Sequence, residues 1–514
     1  MKCINCLSNK IVNSDTVMCT IYDKKDINIA LKLATEFSIN NLFIIGTNNK
    51  ILDNMCKKLK ESKLSILINN IKLIYNHKNK YIDLNTNEEM EYVSFDTILF
   101  TSGVEYDEVL SWKKFNPKLL IGQFDYLDMD YYSIWSEYRT VCNDIYFEVT
   151  MPNKKIENVE WEKRESNIEL SVIFPVYNVA KYLDKCLETV TAWKADYIEF
   201  LFINDGSPDN SADILREYSK KDSRVKVIDK VNGGCASARK LGLEKAQGKY
   251  IGLIDPDDFI EPDMFQQLHK RALLGSYQVA YCGYNEYYEN TGEVKKVTQD
   301  SIYSPYTEGV RDEICIKKLI MYLRVAIWRG IYLKSMLNDN GITFNENFRR
   351  FDDLPFKIEV FSAAKSVVAI PEHMYYYRLE RPGQDVACSD ERLYVHFDIF
   401  KYLDEKQKIV QDSRTRDYLQ MSKLQTHLYA LEKIDNKYFN EYVKQMKKDM
   451  KHNMGIFRDY VITKAYLGNK SVLRKNLINL GFGKFIMKDK VVKRKQSKLA
   501  VQRSKTINEL NKMY

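Results

Sequence analysis

The sequence predicts an α/β protein that ends in helices. From about residue 16 to 125, and again from 170 to 254, short apolar runs alternate with helical patterns. The second series closes on crowded acids, Asp255-Pro256-Asp257-Asp258. After about Asp390 strand signals stop, and amphipathic patterns follow through Leu393, Phe397, Phe400 and Leu403, then Tyr418, Leu424, Leu428 and Leu431. A chain of 514 residues is too long for one core. The expected division is therefore 1–160, 168–390 and 391–514.

In the first segment the runs Val17–Tyr22, Leu42–Gly46, Thr97–Phe100 and Leu119–Gly122 read as strands. Asp26 reads as the cap of a helix carrying Ile27, Ala30, Leu31, Leu33 and Ala34. This βα alternation implies a small doubly wound domain. Gly46-Thr47-Asn48 and Ser102-Gly103 fall at strand ends, where such sheets bind ligands. No GxGxxG and no Walker loop accompanies them, so docking, acceptor handling and a degenerate second catalytic domain all stay open. A charged stretch from Asn153 to Asn167 reads as a linker. The second segment follows with strand runs Leu170–Pro175, Ile198–Ile203, Val225–Ile228 and Tyr250–Ile254.

Composition is that of an ordinary globular protein, 45% hydrophobic and 29% charged. The 10 cysteines are scattered among apolar residues, which reads as reduced thiols in the cytoplasm. Cys3 and Cys6 form a CxxC pair without the partners that would complete a zinc set. No apolar run reaches the ~18 residues a membrane span needs, and no signal-peptide pattern opens the chain. The net charge of +8 concentrates between Lys484 and Lys505, interleaved with Phe485, Ile486, Met487, Val491 and Val492. Such a segment suits an anionic membrane surface, here the inner face of the plasma membrane. Nucleic acid is not an expected partner, because no recognition motif accompanies the charge. Deleting the chain beyond Gly483 is expected to move the protein from membrane to soluble fractions; an unchanged distribution would remove the idea of surface attachment.

Like charges as close as Asp255, Asp257 and Asp258 raise one another's pKa unless a cation neutralises them. The suitable cation is hard and oxygen-loving, Mn²⁺ or Mg²⁺, shared with substrate phosphates. The plainer reading of the four residues is an Asp-Pro turn. Three other groups also close strands in the same segment. Asp205, in Asn204-Asp205-Gly206-Ser207, can accept from a base N–H, and Tyr177, after Pro175, offers a flat apolar face. Asn232-Gly233-Gly234 permits close backbone approach, and Arg239 adds a permanent charge on the helix that follows. Singly, these could be an Asx turn, a core tyrosine and a helix-surface arginine.

As an ordered set, Ile173–Asn178, Asn204–Ser211, Asn232-Gly233-Gly234 and Asp255–Asp258 resemble the blocks of the family 2 glycosyltransferases, over about residues 170–385. The resemblance implies a GT-A fold and a metal-dependent, inverting transfer of a sugar from a nucleotide donor, UDP foremost. The implied acceptor is a hydroxyl of a cell-surface glycan of capsule, lipopolysaccharide or teichoic-acid type, free or lipid-linked. It assigns the metal to Asp257 and Asp258, and the donor to Pro175, Tyr177, Asp205, Asn232, Gly233, Arg239, Asp255, Arg378 and Arg381. The base is Asp353, in Phe351-Asp352-Asp353-Leu354-Pro355, where Asp352 stands in place of the family's usual Glu. Trp328 and Asp352 fall on the acceptor side, where the Trp328 ring suits a sugar platform or the core equally; His373 is a candidate for touching metal or diphosphate, with a structural histidine beside aromatics as the plainer reading.

Three other classes compete. A haloacid-dehalogenase-like phosphatase also carries Asp-x-Asp at a strand end, but Thr or Val patterns normally follow, not Phe259-Ile260-Glu261-Pro262. A nucleotidyltransferase of donor synthesis would place a Gly-rich, Arg-containing loop where Tyr177-Asn178-Val179-Ala180-Lys181 stands. A nucleotide-sugar-binding protein without activity would have no use for both Asp257 and Asp353.

Overall fold

The computed structural model describes residues 166–298 and 306–449, apart from 382–383, 385–387 and 407–410, together with strands and parts of other elements between 16 and 162. The Asp26 helix cap, Thr47-Asn48, Ser102-Gly103, Cys3, Cys6 and the basic segment from Lys484 lie outside the described residues. The chain divides into two compact units, Met1–Asn167 with Lys270–Ser276, and Ile168–His269 with Tyr277–Tyr514.

The first unit holds β1 (Thr16–Ile21), β2 (Asn41–Gly46), β3 (Ile71–His77), β4 (Lys80–Asp83), β5 (Thr97–Phe100), β6 (Leu119–Asp125), β7 (Asp144–Thr150) and β8 (Ile156–Glu162), in the order β4-β3-β2-β1-β5-β6-β7-β8. The six strands from β3 to β7 in that order pair in parallel, and β4 and β8 pair antiparallel at the edges. Chain order reverses between β1 and β5, which is the doubly wound pattern. Strands buried on both faces read as unbroken apolar runs, and all four residues of β5 are buried. The supposed linker is different: β8 alternates, with Val159 and Trp161 inside and Asn158, Glu160 and Glu162 exposed. Its charged outer face hid an edge strand from a reading by composition.

The second unit is built on β9 (Leu170–Val176), β10 (Ile198–Asn204), β11 (Val225–Asp229), β12 (Tyr250–Leu253), β13 (Phe259–Ile260), β14 (Val279–Tyr288), β15 (Val294–Lys296), β16 (Gly330–Leu333) and β17 (Val367–Leu379). Their order is β11-β10-β9-β12-β16-β14-β17-β13, with β15 paired to β14. The first four are parallel, so the carboxyl ends of β9, β10, β11 and β12 share one edge. Helices α1 (Ala180–Ala192), α2 (Ser211–Lys221) and α3 (Cys235–Lys245) supply the crossovers. Helix α3 lies close against β9, since a Cβ at Gly242 would come within 2.3 Å of Ile173. Helix α4 (Asp353–Ala363) precedes β17. The described C-terminal segment is helical, with α5 (Val395–Glu405), α6 (Ser413–Lys433) and α7 (Asn436–Asp449). Their apolar faces gather around Leu393, Leu424, Leu431, Tyr442 and Met446 in the same compact unit as the sheet. Among the described residues no helix is long and apolar enough to cross a membrane. No disulfide joins the described cysteines, and five of them are buried.

Candidate active site

β12 ends in a tight turn. Ile254 N still donates to Ile173 O of β9 at 3.1 Å, and Asp258 N closes the turn on Asp255 O at 3.0 Å. The acids therefore form both the turn and the crowded cluster that the sequence suggested. Their environments differ sharply. Asp258 is fully buried, accepting from Tyr375 OH at 2.6 Å and Arg378 N at 2.7 Å. Burial, then the neighbouring Asp257 and Asp255, push its carboxyl well above the usual range. With both oxygens taken by β17, Asp258 pins the turn to the sheet, and its geometry does not favour the metal role expected of it. Asp257 is 4% exposed and ion-paired to Arg381 Nε through Oδ2. Burial raises its carboxyl, opposed by Arg381 and reinforced by Asp255.

The two arginines expected over the donor diphosphate have separate fates. Arg378 is buried, with Nε on Asp257 O at 2.6 Å and Nη1 on Glu289. Its guanidinium lies among the rings of Tyr182, Tyr287 and Phe259, so it braces the acidic turn and is not free to cover a ligand. Arg381, three residues on, passes Glu380 at φ +65° and returns to Asp257 with its side chain 26% exposed. Trp328 is buried rather than an open acceptor wall. It stacks on Tyr375 at 4.0 Å and Tyr377 at 5.4 Å, with Tyr284 edge-on at 4.9 Å. His373 Nε2 meets Val297 O at 3.2 Å, consistent with a structural histidine.

On the nucleotide side, Pro175 is half-buried and Tyr177 is 50% exposed, keeping an apolar face open at the end of β9. Asn178 adopts φ +55°, and Val179 N and Ala180 N are held by Ser211 at the start of α2 and by Asp209 in the loop before it. Asp205 is buried, and its carboxylate accepts from Lys230 Nζ at 2.6 Å, Gly233 N at 2.9 Å and Gly234 N at 2.7 Å. It shapes the glycine loop, in which Gly234 takes φ +88° and Asn232 stays exposed. Lys230 was not singled out from sequence. Its signal was a lone cation at the carboxyl end of β11, two residues before Asn232.

Arg239 joins the two halves. It is buried on α3, donating from Nη2 to Asp255 Oδ1 at 2.5 Å and from Nη1 to Asp352 Oδ2 at 2.8 Å. Asp352 stands at the N-cap position of α4, yet its side chain makes no capping bond. The acid pair is therefore not a simple helix cap. Phe351 precedes it at φ +55°, a strained conformation for a bulky residue and one that marks functional turns. Asp353 opens α4 half-buried, and burial, with help from Asp352, pushes its carboxyl up to about 7 against the pull of Arg239. A carboxylate that titrates near neutrality is suited to take a proton in turnover.

The Glycosyl transferase family 2 model matches residues 171–362. EpsJ of Bacillus subtilis, an uncharacterised glycosyltransferase, is 30% identical over 222 residues, covering 42% of this chain and 62% of EpsJ. The glycosyltransferase GlyG of Streptococcus pneumoniae is also 30% identical over 222 residues, covering 41% of this chain and 70% of GlyG. The chain belongs to glycosyltransferase family 2. It spans less than two thirds of EpsJ's length, and the match leaves its own first unit and C-terminal helices largely outside. A further relative, the poly(ribitol-phosphate) beta-glucosyltransferase of Bacillus spizizenii, is 27% identical over 228 residues, 43% of this chain and 34% of that protein. The mixed sheet from β9 to β17 is the GT-A arrangement of this family 2 chain. Among the described residues no group of three or more His, Cys, Asp or Glu side chains forms a ready metal cage. The donor set at the turn is Asp257 with Asp255 beside it. That set fits a hard divalent cation whose remaining ligands are substrate phosphates and water, which is how Mg²⁺ is commonly held.

Proposed function

We propose that the chain is an inverting glycosyltransferase that moves a sugar from a nucleoside-diphosphate donor, a UDP-sugar first of all, to a hydroxyl of a cell-surface glycan. The single observation that carries this reading is the Arg239 bridge from Asp255 of the acidic turn to Asp352, the residue next to Asp353. Tyr177 offers a face for the base, Asp205 and Lys230 set the glycine loop, and the turn faces the diphosphate. Asp353 takes the proton of the acceptor hydroxyl as its oxygen bonds the anomeric carbon and the bond to the diphosphate breaks. One base opposite one leaving group implies in-line displacement with inversion. A divalent cation held by Asp257, with Asp255 near, would offset charge on the departing diphosphate. The acceptor class is supported by the relative named for glucosyl transfer to poly(ribitol phosphate). Attachment to the inner membrane face through the Lys484–Lys505 segment belongs to the same proposal.

The test is donor hydrolysis across a panel of nucleotide sugars with Mn²⁺. One or a few UDP-sugars are expected to be turned over, with activity lost in chelator and in Asp257→Ala. Absence of turnover for every donor, with nucleotide binding retained, would instead favour a binding protein without activity.

A further inference from the structure

A guanidinium stands on the Asp257 carboxylate, where the proposed donor site would place a cation. Arg381 Nε is ion-paired with Asp257 Oδ2, while Asp255 Oδ1 is held by Arg239. A carboxylate as buried as Asp257 needs a counter-charge, and the guanidinium supplies what a divalent cation would. The two arginines are built differently. Arg239 is buried and bound at both ends, whereas the Arg381 side chain is 26% exposed. The backbone carrying Arg381 is fixed by Gln384, whose Oε1 accepts from Arg381 N at 3.3 Å and whose Nε2 donates to Arg378 O at 2.5 Å. The head of Arg381 can therefore turn while its root stays in place.

We propose that Arg381 is a latch on the metal position: it occupies Asp257 until a donor diphosphate draws it away, so that metal binding is coupled to donor binding. The inference rests on the proposed nucleotide-sugar reading and adds an order of events to it. Phosphate oxygens offer a guanidinium two parallel hydrogen bonds, a stronger partner than one carboxylate oxygen. The same phosphates supply the ligands a divalent cation lacks at Asp257. Each ligand then tightens the other by the same factor, and couplings of this kind commonly reach about 5–150-fold.

The experiment measures Mn²⁺ binding to the full chain by electron paramagnetic resonance of free Mn²⁺, with and without UDP, in wild type, Arg381→Gln and Arg381→Lys. UDP is expected to tighten Mn²⁺ binding by wild type at least about tenfold. Without UDP, Arg381→Gln should bind Mn²⁺ about tenfold tighter than wild type, because its competitor is gone, and Arg381→Lys should stay close to wild type. Equal or weaker UDP-free Mn²⁺ binding by a folded Arg381→Gln, shown by an unchanged melting curve, overturns the latch while leaving the donor reading intact. Equally tight binding by Arg381→Lys and Arg381→Gln also overturns it. Failure of wild type to bind Mn²⁺ even with UDP removes the metal from the donor reading, and the latch with it.

Discussion

Asp353→Asn is expected to reduce turnover about a thousandfold, within the ~10²–10⁴ range that general-base catalysis supplies. The replacement keeps the shape and removes the proton acceptor. It also removes a carboxyl that burial has raised to about 7. A raised carboxyl is disfavoured when ionised, so its loss removes that penalty above neutrality; the melting temperature at pH 8 should hold or rise. That combination separates chemistry from misfolding. The sign of the pH dependence follows from the same shift. The base must be ionised, so wild-type kcat/KM should fall about tenfold per pH unit below about 7 and level off above it. A profile flat from pH 5 to 8 would remove Asp353 from the role.

Removal of Arg239 should have the largest effect on stability. Its guanidinium is buried between Asp255 and Asp352, at 2.5 and 2.8 Å. Arg239→Leu leaves both acids without their shared cation, and breaking a buried pair in this way costs about 3–5 kcal/mol. Arg239→Lys keeps the charge but not the fork, and one ammonium does not span both carboxylates in the same geometry. It should fall between wild type and Arg239→Leu in thermal melts. Arg239 also holds the Asp353 carboxyl down. Any folded variant lacking the charge should therefore carry its acidic kcat/KM limb to higher pH. An unshifted limb in such a variant would mean that Asp353 does not titrate within reach of Arg239.

Much of the site was legible because strand-end motifs are local. The apolar runs ending at Pro175, Ile203, Ile228 and Ile254 became four parallel strands with their carboxyl ends on one edge. The unread part depended on which way neighbouring side chains face. Asp257 and Asp258 are adjacent, yet the turn sends one to Arg381 and the other into β17. Arg378 and Arg381 are three residues apart, and the positive φ of Glu380 lies between a buried brace and a partly exposed cation. Trp328 looked equally suited to a sugar platform or to the core, and the tyrosines of β17 settled it by stacking on the ring. The bond from Arg239 to Asp352 joins residues 113 apart and leaves no local trace in the sequence.

The most direct test of the central claim is the anomeric configuration of the first-formed sugar, followed by proton NMR while a turned-over donor is consumed. Displacement at one centre with Asp353 as the only base predicts inversion, an α-linked donor giving the β product. Retention of configuration would require a second displacement or a different mechanism, and would contradict this assignment of the site.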